Sequence, residues 1–117
     1  MRISEHSTGD VTVLDLLSPL TGDHSKELFL PQIESMLAEG RRRFVLNLEE
    51  LAWINSSGVG HLIGARRRIE EAGGEIVLSG VNDRVKGILE VTGLATLWPI
   101  HADVGQALQH WSERKEP

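Results

Sequence analysis

The chain has 117 residues, no cysteine, and 12 Lys and Arg against 17 Asp and Glu, for a net charge of -5; 40% of it is hydrophobic. A chain of this size forms one domain and buries somewhat more than about 60% of its unfolded surface, so its core needs no disulfide or metal to complete it. The missing cysteine excludes thiolate zinc sites and thiol catalysis, and the net acidity argues against a nucleic-acid partner. No apolar stretch is long enough to enter a membrane and Met1 to Asp10 is polar, so a cytoplasmic protein is the expectation.

Taken in chain order, Val11 to Leu17 is a nearly continuous apolar run with a β-branched start, which predicts a strand paired with an edge strand near Ile3. Phe29, Ile33, Met36 and Leu37 then repeat at helical spacing, with Gly40 as the stop. Pro31 sits either in the first turn of a helix beginning near Leu30 or as a kink in one beginning near Ser25. Phe44 to Leu48 predicts a strand. Leu62, Ala65, Ile69 and Ala72 predict a helix with Asn55 or Ser56 as N-cap and Gly73-Gly74 at its end. Ile76 to Leu78 is a further strand, Val85, Ile88, Leu89 and Thr92 form a shorter helix that Gly93 stops, and a weak strand is expected near Leu97 to Ile100. Asp103 caps a last helix carrying Val104, Ala107, Leu108 and Trp111 on one face. This alternation predicts a single α/β domain over residues 1 to 117, with its core over about 3 to 112 and a mixed sheet, because the N-terminal pair is joined by a short turn. The basic runs Arg41 to Arg43 and Arg66 to Arg68 are expected at a helix C-terminus and on a solvated helix side respectively.

Ile54-Asn55-Ser56-Ser57-Gly58-Val59-Gly60 concentrates two hydroxyls and two glycines at a predicted helix N-terminus, where free N-H groups and the helix dipole suit a phosphate. The bland account is that Asn55 or Ser56 is only a cap and that Gly58 and Gly60 only permit close packing. That run, however, resembles the switch motif of the STAS domains, specifically of the bacterial anti-sigma-factor antagonists, whose form is apolar-Asp-Ser-Ser/Thr-Gly-Leu/Val-Gly. Val11 to Leu16 and Arg43 to Leu48 are similar to that family's strands. Glu71 to Leu78 is similar to its Gly-Gly turn, and Val85 to Leu94 to its helix ending in Thr-Gly-Leu.

The resemblance implies a four- to five-stranded mixed sheet packed with about four helices. It also implies a non-enzymatic antagonist that binds an anti-sigma factor, itself a serine kinase, and so releases the sigma factor. Ser56 falls at the family's phosphorylated position, with Ser57 as the alternative acceptor, and a phosphatase reverses the modification. Asn55, Ser56, Ser57 and Gly58 are then the partner-binding residues. Thr21 and Gly22, in the segment Ser18-Pro19-Leu20-Thr21-Gly22 where relatives carry Gly-x-Leu/Ile-Asp, are further contact candidates. Asn55 stands where the family has Asp, so the alternative is a STAS module without the phosphoswitch. Such a module would serve a stress-sensing complex, a transporter accessory subunit or weak nucleotide binding. A monomer or weak homodimer is expected, with no cofactor.

An enzyme could start from Ser57 and His61, at i and i+4 on one helix. No third orienting residue accompanies them, the Gly-x-Ser-x-Gly order is missing, and His6, His24, His61, His101 and His110 show no metal-ligand spacing. His61 is therefore expected to face solvent. Gly58-Val59-Gly60 also lacks the Lys-Ser/Thr ending of a phosphate-binding loop. Trp111 is expected in the core, and Trp53 in either core or interface.

Overall fold

The structure, a computed structural model, describes residues 3–17, 23–51, 54 and 56–112. Its five strands are β1 (Ile3–Thr8), β2 (Val11–Leu16), β3 (Arg43–Asn47), β4 (Glu75–Ser79) and β5 (Ile100–His101), and they lie side by side in chain order. β1 runs antiparallel to β2 through the Gly9-Asp10 turn, and every later pairing is parallel. The helices are α1 (Asp23–Ala38), α2 (Ser56–Glu71), α3 (Asp83–Val91) and α4 (Val104–Ser112).

A parallel sheet that advances in one direction, with right-handed crossovers, must place all its crossover helices on one face. The core follows that rule. Leu14, Leu16, Phe44, Leu46, Ile76 and Leu78 point to the face covered by α1, α2 and α3, where they meet Ile33, Met36, Leu62, Ala65, Ile69, Val85 and Leu89. The alternate residues Val11, Val13, Val45 and Val77 point the other way and are covered by Ala107 and Trp111 of α4. β2, β3 and β4 are thus buried on both sides, which is why they read as apolar runs and not as alternating strands.

The helix ends explain the glycines. Gly93 (φ +75°) follows α3 in the left-handed conformation; its N-H reaches Glu90 O at 3.1 Å while Leu94 N-H reaches Leu89 O at 2.7 Å, the paired bonds of a Schellman stop. Thr92 adds its hydroxyl, donated to Ile88 O at 2.8 Å, so Thr-Gly-Leu closes the helix. Gly73 ends α2 in the same way, with Gly74 N-H on Ile69 O at 2.8 Å. Gly74 has a separate reason to lack a side chain: a Cβ there would run into the Arg42 carbonyl oxygen and lie 2.9 Å from Ile69 Cγ2.

Several expectations shift. Pro31 lies inside α1, which begins at Asp23, so the longer of the two helix alternatives holds. Ala72 lies in the turn after α2, not within it. The last strand is only Ile100 and His101, because Trp98 is buried in the core instead of pairing along the sheet. Arg66 and Arg68 are not simply solvated: Arg66 Nε donates to Leu97 O at 2.9 Å, and Arg68 Nε reaches Glu34 of α1 at 2.5 Å. Arg42 behaves as expected at a helix C-terminus, donating to Leu37 O at 2.9 Å. Asp103 caps α4 by accepting from Gln106 N at 2.8 Å, and Trp111 is 4% exposed with its indole N-H on Glu75. No helix among the described residues is long and apolar enough to cross a membrane.

Gly74→Ala forces the α2 end away from the Arg42 carbonyl and costs about 2 kcal/mol, in the range of overpacked sites. Urea unfolding should show a lower midpoint with an unchanged slope.

Candidate functional site

The carboxyl ends of the parallel strands carry the only extended polar row on the α4 face among the described residues. Ser4, Asp15, Asn47, Ser79 and His101 stand in register across all five strands. Asn47 holds the centre: its Nδ2 donates to Asp15 Oδ1 at 2.8 Å, and its Oδ1 accepts from Ser79 Oγ at 3.3 Å and from the Glu49 backbone N-H at 3.3 Å. His6 Nε2 lies 3.4 Å from the other Asp15 oxygen. Ser79 is fully buried, so the hydrogen bond to Asn47 offsets a desolvation cost of about 1–3 kcal/mol for its hydroxyl.

The Asn47 to Glu49 bond turns the chain as it leaves β3. Leu48 N-H continues the ladder to Ser79 O at 2.8 Å, and Leu51 N-H returns to Leu48 O at 3.0 Å. Leu48, Leu51 and Ile54 are each at most 2% exposed, so three apolar pegs at a spacing of three residues pin the connection into the core. Gly80, at φ +67°, lets β4 pass beneath this turn, since a Cβ there would lie 3.0 Å from both Asn47 Oδ1 and Glu49 Cβ. From the other side Asn82 donates its Nδ2 to Leu51 O at 3.0 Å while its Oδ1 caps α3 at Val85 N, 2.8 Å away.

The chain delivered by this connection starts α2 at Ser56, with Ser57 next. Ser56 therefore belongs to the helix and does not precede it, and of the two cap candidates only Asn55 occupies the preceding position. Asn55, Trp53, Thr21 and Gly22 lie outside the described residues. The first turn of α2 carries no acidic residue of its own to offset the positive end of its dipole. Val59, Leu62, Ala65 and Ile69 anchor the other side of the helix in the core.

His61 overturns the expectation of a solvent-facing side chain: it is 9% exposed. It lies three residues after buried Gly58 and four before buried Ala65, on the flank of a stripe wider than the apolar residues alone reveal. No group of three or more His, Asp or Glu suited to a metal occurs among the described residues. The close-packing account of the two glycines divides. Gly58 is buried, whereas Gly60 is exposed and, among the described residues, nothing lies within 4 Å of where its Cβ would be.

Asn47, Gly80 and Asn82 were not singled out by the sequence. Asn82 had a local signal, an amide residue directly before the helical run that starts at Asp83. Asn47 and Gly80 had none, since their roles depend on neighbours 31 to 33 residues away.

Residues 2–107 match the family model described as STAS domain. The chain is 30% identical over 105 residues to an anti-sigma F factor antagonist of Paenibacillus polymyxa, covering 89% of this chain and 88% of that protein. It is 29% identical over 84 residues to an anti-sigma-B factor antagonist of Staphylococcus aureus, covering 68% and 76% respectively. The solved structure of the anti-sigma factor antagonist SpoIIAA in its unphosphorylated form has the same fold, with a TM-score of 0.80 at 24% identity over 96% of this chain and 97% of that one.

Because Gly60 is helical, exposed and uncrowded, the fold does not require it. Gly60→Ala should raise stability by about 0.5–1 kcal/mol, read as a higher midpoint in thermal unfolding.

Proposed function

This chain belongs to the STAS domain family, and we propose that it is an anti-sigma-factor antagonist that binds an anti-sigma-factor serine kinase through its Asn55 to Gly60 corner. In this reading complex formation frees the sigma factor, phosphorylation of Ser56 dissolves the complex, and a phosphatase restores it. The chain acts in the cytoplasm as substrate and binding partner, and its role needs no catalytic group of its own.

The observation that carries the proposal is the opening of α2 at Ser56 with no acidic residue in its first turn, beside a Gly60 that the fold itself does not need. A bare surface at Gly60 lets a partner's backbone approach the first turn closely. A phosphoryl group at Ser56 adds about -1.5 to -2 charges there without breaking the helix, since an anion suits a helix N-terminus. Inside an interface the same dianion is costly, because a buried charge without a matched partner costs several kcal/mol. The switch therefore acts on the complex and spares the fold. Thr21 and Gly22 are assigned to the same partner surface, and Ser57 is the second candidate acceptor.

Intact-mass measurement after incubation with ATP and the anti-sigma-factor kinases of the source organism tests this. One phosphoryl group is expected on the wild type and on Ser57→Ala, and none on Ser56→Ala. Ser56→Ala should unfold within about 1 kcal/mol of the wild type. Ser56→Asp should bind the kinase at least about tenfold more weakly, equivalent to about 1.4 kcal/mol. If only Asn55→Asp becomes a substrate, the chain is a constitutive binder; if no kinase binds or modifies it, the proposal fails.

A further inference from the structure

We propose that Asn82 is a positioning residue for the corner that opens α2, tying it to the N-terminus of α3; the functional part of this inference rests on that corner being the partner-binding switch. The two ends of the Asn82 side chain do different work. Its Oδ1 accepts from Val85 N at 2.8 Å and caps α3, and its Nδ2 donates to Leu51 O at 3.0 Å. Leu51 is the buried middle peg between Leu48 and Ile54, so among the described residues its carbonyl is where α3 takes hold of the connection that leads to Ser56.

A cap alone would not need an amide. Asp caps a helix as well as Asn does and has no donor for Leu51; Ser also caps, and its hydroxyl, one bond shorter than the amide nitrogen, stops short of the Leu51 carbonyl while it serves Val85. The requirement for an amide, with its donor and acceptor on separate atoms facing two partners, is therefore set by the connection and not by α3. The rest of the exit is held from the β3 and β4 side, by Asn47 accepting from Glu49 N and by the Leu48 ladder bond. Asn82 supplies the opposing hold. With both in place the first turn of α2 is presented in one position, so a partner binds it without first ordering it.

The two roles can be separated by substitution. Asn82→Asp and Asn82→Ser both keep a cap acceptor for Val85 and both remove the amide donor, one adding a charge and the other none. Amide hydrogen exchange on the free protein, followed at Leu51, Ile54, Val85 and Leu89, gives the readout without any partner. In both variants Leu51 and Ile54 should exchange about three- to tenfold faster, the effect of losing one hydrogen bond, while Val85 and Leu89 keep their protection. Affinity for the anti-sigma-factor kinase should fall by a similar factor in both.

Unchanged exchange at Leu51 and Ile54 overturns the proposal. So does equal loosening at Val85, which would make Asn82 a plain cap. Loosening in the Asp variant alone would assign the effect to a new charge facing the Leu51 carbonyl and also overturns it. Faster exchange with unchanged affinity removes the positioning role, yet leaves the corner's own binding role standing, since that is decided separately by the Ser56 variants.

Discussion

Three crossovers in the same direction put three helices on one side of the sheet, and the rest of the architecture answers to that asymmetry. The crowded side receives the large residues, Phe44, Leu46, Leu62 and Ile69 among them. The other side has only α4 to cover it, and α4 meets the valines Val11, Val13, Val45 and Val77 through Ala107 and Trp111. Beyond these valines, toward the carboxyl ends of the strands, this face changes from apolar to polar. The row from Ser4 to His101 is the result.

That boundary has a chemical use. Side chains at the carboxyl edge of a parallel sheet are close to the loops that leave it, and in open α/β sheets this edge is where ligands and partners are met. Asn47 faces two ways in this arrangement: sideways to Asp15 and Ser79 within the sheet, and forward to the Glu49 N-H in the departing loop. The sheet therefore extends its rigidity past its last residue. Gly80 contributes by absence, letting the neighbouring strand exit pass without displacing the turn.

Much of this was legible because the signals were local. The strands β2 to β4 were apolar runs, Asp103 preceded a periodic face, and Thr-Gly-Leu and Gly-Gly marked helix stops that the structure closes with Schellman bonds. The motif at Ile54 to Gly60 gave the start of α2 to within a residue. What escaped depended on groups distant in sequence. Arg66 and Arg68 looked like a solvated run because their acceptors, Leu97 O and Glu34, lie about thirty residues away. His61 looked like a surface residue because its burial comes from the width of the α2 stripe. Trp98 left the expected strand because a large indole gains more from burial than from lying along a short edge.

The in-register polar row also selects how the chain assembles. Side chains alternate along a strand, so sliding β3 by one residue would turn Asn47 into the apolar layer and Phe44, Leu46 and Leu48 out of it. Such a slip would displace the start of the exit by about 3.3 Å along the strand. Asn47 would lose Asp15, Ser79 and the Gly80 gap together. A misregistered sheet would therefore be penalised twice, in its core and in its polar edge, so register fidelity and the placement of the α2 corner are a single property of the chain.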